Sequence, residues 1–228
     1  MARTVSDIAL MLDAGVGHDP VDPLYFDPVS GFVGALDPAA PTVRIAFSRD
    51  LSIVPMAREI GDIAARAVHS LGAAGVDVTE NIADFTGALD AFQTLRAVLL
   101  GTMMGDMLQT HRDQINADII GNVERGFAVT PDQLFAAERL RWQLAHRMAN
   151  FFETHDLLIC PSASIEPFPV EQRFVTEIDG APCETYIDRF AITFALTLTA
   201  CPIKSTDSTS RACAPLRTKR PTTPRSGP

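Results

Sequence analysis

The sequence predicts an α/β fold that ends in a disordered tail, and three observations predict it. Val43 to Val78 reads strand, helix, strand. Thr130 to Cys160 reads long helix, then short strand. After Ile203 the composition changes abruptly. The 228 residues carry 46% hydrophobic and 21% charged side chains, the balance of a globular chain with room for a sizeable core.

The first element is a helix over Thr4 to Leu12, with Val5, Ile8, Ala9 and Leu12 on one face. Gly15 and Gly17 stop it, and Pro20, Pro23, Pro28, Pro38 and Pro41 make Gly17 to Pro41 a long loop. A loop of that length inside a compact domain usually covers something. Val43 to Phe47 is a β-rich run. Met56, Ile60, Ile63, Ala64, Ala67, Val68 and Leu71 then mark a helical face, with Gly72 and Gly75 at its end. Val76 opens a second strand, and strands joined through a helix pair in parallel.

A long helix is expected from Ile82 to His111, apolar on most faces, with Gly101 and Gly105 either allowing close helix contact or breaking it. Thr130-Pro131-Asp132-Gln133 is the clearest helix start in the chain, combining an N-cap, proline at the first position and a capping box. Leu134, Ala137, Leu144, Ala145, Met148, Phe151 and Phe152 form that helix's buried side. Asp156 to Cys160 is a short buried strand. Phe174–Ile178 and Ala181–Cys183, around Asp179-Gly180, form a hairpin, and Tyr186 to Leu198 a last helix. Domains are placed at 1–203 and 204–228. Of the last 25 residues thirteen are Ser, Thr or Pro, and six are basic against one acidic. Such a segment cannot bury enough surface to offset its ordering entropy.

Net charge is −9 and pI about 4.9, which argues against nucleic acid as main partner. No apolar run reaches the ~18 residues of a membrane span, and Met1 to Asp13 lacks a secretory pattern. Cys160, Cys183, Cys201 and Cys213 show neither a CxxC pair nor metal spacing, so a cytoplasmic location is expected. Lysine occurs only at Lys204 and Lys219, against seventeen arginines. The first 203 residues therefore offer no Schiff-base, Ser–Lys or P-loop lysine.

Cys160 ends a strand, where α/β nucleophiles sit, and His146 and His155 lie near it in sequence. The run Leu-Leu-Ile-Cys-Pro fits a small core hydrophobe better. Ser162 and Ser164 follow the strand but outside any Gly-x-Ser-x-Gly elbow. Gly31 and Gly34 have no strand before them, so they give no nucleotide fingerprint. His18, His69, His111, His146 and His155 form no i, i+4 metal pair. The residues assemble no catalytic, cofactor-binding or metal set, and no cofactor is implied.

Several segments in order resemble the amidase signature hydrolases. Met1-Ala2-Arg3-Thr4-Val5 with its Asp- and Ala-containing helix is similar to the stretch that follows their nucleophile region. Gly17-His18-Asp19-Pro20-Val21-Asp22-Pro23, the unit Val43 to Val78 with Leu71-Gly72-Ala73-Ala74-Gly75-Val76, and Thr130 to Arg141 continue the likeness. Asp156-Leu157-Leu158-Ile159-Cys160-Pro161, Ile178-Asp179-Gly180, and Ala191 through Cys201-Pro202 complete it. The resemblance covers Met1 to about Ile203. It implies a mixed β-sheet flanked by helices and hydrolysis or transfer at a small-molecule carboxamide. In that chemistry one serine attacks, a second serine on a cis peptide relays the proton, a lysine is the base, and backbone N–H groups hold the oxyanion.

In the family those catalytic residues precede the Met-Ala-Arg-Thr-Val segment. Here no two serines are adjacent and no Gly-Gly-Ser-Ser-Gly-Gly occurs. The chain is therefore expected to be the middle-to-late part of an amidase, cut at both ends, with a tail that looks out of frame, and inactive alone. Its loops Gly31 to Pro41 and Pro161 to Val170 are expected to border the substrate pocket of an intact enzyme. Two other readings stand beside this one. The chain is a non-catalytic partner that binds a complementary N-terminal half or a homologous enzyme, with self-association through unpaired surfaces also expected, or it is an independent hydrolase using Cys160.

Overall fold

A computed structural model describes residues 4–21, 31–36 and 43–201. They fall into two compact units, one within Met1–Val43 and one within Arg44–Ser205. The proline-punctuated loop at 22–30 and 37–42, the tail from 204, and the expectations attached to them lie outside the described residues.

In the first unit the expected helix forms as α1 (Val5–Gly15). Thr4 caps it in a full capping box with Asp7, the two N–H···O distances each 3.1 Å. The apolar line Val5, Ile8, Ala9, Leu12 is its more buried side. Asp13 near its end accepts hydrogen bonds from the backbone N–H of Phe32 and of Val33. That ties the helix to the single turn Val33–Ala35.

The second unit begins with β1 (Arg44–Phe47), α2 (Arg58–Ala73) and β2 (Asp77–Glu80). Strands β1 and β2 pair in parallel, as the crossover pattern predicts. A Schellman closure ends α2: Gly75, at φ +87°, donates to the Gly72 carbonyl at 2.9 Å, and Val76 to the Leu71 carbonyl at 3.1 Å. Ile63 departs from the expected face and is 43% exposed. The buried line of α2 runs through Gly61 and Val68 instead.

The helix expected from Ile82 starts later, as α3 (Ala88–Thr110). Asn81 and Asp84 bend the chain first, their side chains accepting from the N–H of Ile82 and of Thr86 at 2.8 Å. Gly87 then takes a left-handed φ of 83°. Gly101 and Gly105 lie inside a continuous helix and give close contact. A Cβ on Gly101 would sit 3.6 Å from the Gly126 backbone, and one on Gly105 2.9 Å from the Phe127 ring. Those partners belong to α4 (Ala117–Ala128), a helix the sequence reading did not place. Asn116 caps it by accepting from Asp118 N–H at 2.8 Å.

Helix α5 (Pro131–Thr154) starts where the capping box predicts. It buries Ala137, Leu144 and Met148, the last two worth roughly 1.5–3 kcal/mol apiece. Strand β3 (Leu157–Ile159) follows and pairs in parallel with β1, giving the order β2-β1-β3. The three-stranded sheet is thus wholly parallel, not the mixed sheet the resemblance implies, because helices join its strands. The antiparallel pair β4 (Glu177–Ile178) and β5 (Ala181–Pro182) forms a separate two-stranded sheet. Its turn has Asp179 at φ 49° and Gly180 at φ 82°, the type I′ signature of the Asp-Gly pair. The last helix is shorter than expected. Asp188 accepts from Thr185 N–H at 2.8 Å and opens a 3₁₀ turn, and α6 covers only Ala191–Thr197. The core lies among Leu51, Val54, Phe85, Ala91, Leu144, Met148, Ile192, Phe194 and Ala195.

Candidate functional site

In parallel α/β sheets ligands bind beyond the carboxyl ends of the strands. Here those ends are the turn after β1, the bend after β2 and the loop after β3. Backbone bonds hold the three together: Ser48 N–H reaches the Ile159 carbonyl at 3.0 Å, and Asn81 N–H the Phe47 carbonyl at 3.1 Å.

The turn after β1 places two successive non-glycine residues in the left-handed region, Leu51 at φ 54° and Ser52 at φ 57°. Such residues are strained and persist only where their surroundings determine them. Ser48 Oγ accepts from Leu51 N–H at 3.0 Å and Asp50 Oδ1 from Ser52 N–H at 2.8 Å. The Leu51 side chain is fully buried, and that burial offsets the backbone cost. Neither the turn nor its strain shows in the sequence, because Ser-Arg-Asp-Leu-Ser contains no glycine to signal it.

The loop after β3 is pinned by Ser164. This serine is 2% exposed; its Oγ donates to the Arg189 carbonyl at 2.6 Å, and its own carbonyl accepts from Ala57 N–H at 2.8 Å. The Arg189 guanidinium lies over the rings of Phe168 at 5.0 Å and Phe190 at 4.1 Å. Ser164 is thus a staple between the start of α2, this loop and the turn before α6. Ser162 is exposed.

Cys160 and the two histidines take separate roles. Burial pushes the Cys160 thiol up to about 11, and the residue packs against the core. His155 caps α5, stacks on Phe151 with centroids 4.4 Å apart, and turns its ring nitrogens toward Thr79 and Asn81 on one side and Thr154 on the other. His146 lies exposed on α5 beside Trp142, at 4.1 Å between ring centroids. The structure gives the Cys160 thiol a dry setting instead of the electropositive one that makes a thiolate. No group of three His, Cys, Asp or Glu side chains fit to hold a metal occurs among the described residues. No helix there is long and apolar enough to cross a membrane.

A polar cluster that sequence reasoning missed joins α3, α4 and the approach to α6. Arg96 donates to Asn122 Oδ1 at 2.9 Å and to the Tyr186 hydroxyl at 2.6 Å. Asn122 in turn donates to the Asp118 carbonyl at 2.6 Å. Residues 26 and 90 positions apart meet here, a distance no local pattern signals.

A parallel β2-β1-β3 sheet with long helices between its strands and a pinned loop at its carboxyl end defines an α/β protein built around that end. The chain belongs to the amidase family, whose family model, described as Amidase, matches residues 1–215. It is similar to an amidase of Pseudomonas putida, 25% identical over 173 residues, covering 72% of this chain and 36% of that protein. It is also similar to an acylamidase of Rhodococcus erythropolis, 23% identical, covering 79% and 39%. A bacterial aryl acylamidase of the amidase signature enzymes shares the fold at a TM-score of 0.76 and 20% identity, covering 87% of this chain and 43% of that one. The chain spans less than half the length of these relatives.

Proposed function

We propose that these 228 residues form the scaffold part of a small-molecule amide hydrolase and turn over no amide by themselves. The supporting observation is one of residue inventory. In an amidase of the kind the family resemblance implies, catalysis needs two nearby serines and a lysine. This sequence has no adjacent serines, and its only lysines are Lys204 and Lys219. The two buried serines at the carboxyl end of the sheet are otherwise engaged, Ser48 in its turn and Ser164 in its staple.

The loop Pro161 to Val170 borders the substrate pocket in this reading, and Ser164 holds it for that purpose. The names of the relatives, an acylamidase and an aryl acylamidase, point to acyl amides, aryl ones among them, as substrates. Function lives in the site and not in the fold, so the test is direct. The purified chain is incubated with an aryl acyl amide and the released arylamine is measured. Release equal to that of the heat-denatured chain is expected, and turnover above that background would overturn the proposal.

A further inference from the structure

We propose that Arg189 is a specificity-determining residue that grips a carboxylate on the substrate, so that this scaffold serves carboxylate-bearing acyl amides. The inference rests on the reading of the chain as an amidase scaffold whose Pro161 to Val170 loop borders the substrate pocket.

Arg189 differs from every other arginine among the described residues. It alone combines a half-buried side chain with a guanidinium that makes no hydrogen bond or ion pair there. Its Nε is buried without an acceptor. Arg147 also has a buried Nε of that kind, but its outer nitrogens meet Asp84 at 3.3 Å and the Thr86 carbonyl at 2.9 Å. A charged donor group left unmet in a half-buried setting costs free energy that a bound acceptor recovers. Arg189 is nonetheless held in place. Its guanidinium lies 4.1 Å from the Phe190 ring centroid and 5.0 Å from that of Phe168, and its carbonyl accepts from the Ser164 hydroxyl at 2.6 Å. The group is thus fixed to the loop after β3, at the carboxyl end of the sheet, where ligands of parallel α/β proteins bind.

Shape and charge select the ligand. With Nε sealed, the two outer nitrogens, which are not buried, form the open end of the fork. Two parallel N–H donors match a planar carboxylate, and the phenyl rings beside them suit an apolar body behind it. The acids of this region do not take that place. Asp188 spends its carboxylate on the Thr185 N–H at 2.8 Å and the Thr185 hydroxyl at 2.9 Å. Glu166 and Glu171 are exposed and make no ion pair among the described residues. One guanidinium with these carboxylates in the same loops suits a monoanion better than a doubly charged phosphate.

The test titrates the full, ¹⁵N-labelled chain with para-acetamidobenzoate and, separately, with its neutral analogue para-acetamidobenzamide. Binding is read from the Arg189 Nε–H signal and the Phe168 backbone amide. The carboxylate should bind about tenfold or more tighter than the carboxamide, the worth of a hydrogen-bonded charge, and should move both signals. Arg189→Gln should abolish that preference. Arg189→Lys keeps the charge without the fork and should retain only part of it, so a poorly folded glutamine variant still leaves the comparison decided. Equal affinities in the wild type, no binding of either compound, or an undiminished preference in both variants would overturn the inference. Release of para-aminobenzoate above the heat-denatured background would overturn the underlying reading instead, so the two failures are distinguishable.

Discussion

Arg44 and Asp156 clamp the start of the β1–β3 pairing from both backbone and side chain. The Arg44 guanidinium donates to the two carboxylate oxygens at 3.0 and 3.1 Å. Arg44 N–H adds a third bond to Asp156 at 2.9 Å, and Asp156 N–H returns one to the Arg44 carbonyl at 2.8 Å. The two residues are 112 positions apart in sequence. Bidentate geometry of this kind holds register better than a point charge does. Asp156→Ala should therefore lower the urea midpoint more than Asp156→Asn, which keeps an acceptor for the backbone N–H. Raising salt should narrow the gap between wild type and Asp156→Asn, because the pair is partly open to solvent. Equal midpoints for the two variants would remove the backbone bond from the account.

Two glycines of one helix should respond oppositely to the same substitution. A Cβ on Gly126 would run into the Ala97 carbonyl on α3, whereas one on Gly121 meets nothing within 4 Å. Gly126→Ala should destabilise by about 1–3 kcal/mol through overpacking. Gly121→Ala should stabilise by about 0.5–1 kcal/mol through helix propensity. Denaturant melts of the two variants check both signs.

What the sequence made legible was local. The capping box at Thr130 and Gln133, the Gly72–Gly75 closure and the Asp179-Gly180 turn are each decided within a few residues, and the structure has them in place. Two misreadings have physical causes. The start of α3 was misplaced because Ile82 continues the apolar period, while Asn81 and Asp84 spend their side chains on a bend that competes with it. Helix α4 went unplaced although its sequence is strongly amphipathic, because Gly121 and Gly126 inside it weaken the helix signal. Around the candidate site, the Arg96–Asn122–Tyr186 cluster and the Ser164 staple depend on contacts across 25 or more positions. Periodicity carries no trace of those. The family resemblance carried the biochemical class further than any motif in the chain.

Thr130 offers a graded check on α5. Its hydroxyl accepts from Gln133 N–H at 3.3 Å, and the Gln133 side chain accepts from Thr130 N–H at 2.9 Å. Thr130→Ala should cost about 1 kcal/mol and Gln133→Ala less. Thermal melts give the order, and a larger loss at Gln133 would contradict it.

Cys160 should behave as a buried thiol and not as a nucleophile. With its pKa pushed up to about 11 from an ordinary 9, the folded state holds roughly a hundredfold less thiolate at pH 8 than an unperturbed thiol would. Iodoacetamide should label Cys160 slowly in the native chain and at an ordinary rate in urea. The linkage has a definite sign. A raised folded pKa gives stability that is full below the unfolded value and lost as pH rises through the folded one. Wild type should therefore lose stability relative to Cys160→Ala between about pH 9 and 11. Native labelling as fast as in urea would mean that the thiol is open to solvent.

Ser164 and Ser162 separate a structural serine from a surface one. The Ser164 hydroxyl sits in a dry site and donates to the Arg189 carbonyl, so Ser164→Ala leaves a buried acceptor without its partner. Such a loss costs about 1–3 kcal/mol. Ser162 is exposed, and Ser162→Ala should stay within about 0.5 kcal/mol of wild type. Ser164→Cys tests whether the cost lies in the hydrogen bond or in packing. The thiol fills the space but donates weakly, so a loss close to that of alanine assigns the cost to the bond. Because Ser164 also accepts from Ala57 N–H, the damage should spread to the start of α2. Hydrogen exchange at Gly61, whose N–H bonds the Ala57 carbonyl at 3.1 Å, should quicken in Ser164→Ala and not in Ser162→Ala. Unchanged exchange there would confine the staple to its own loop.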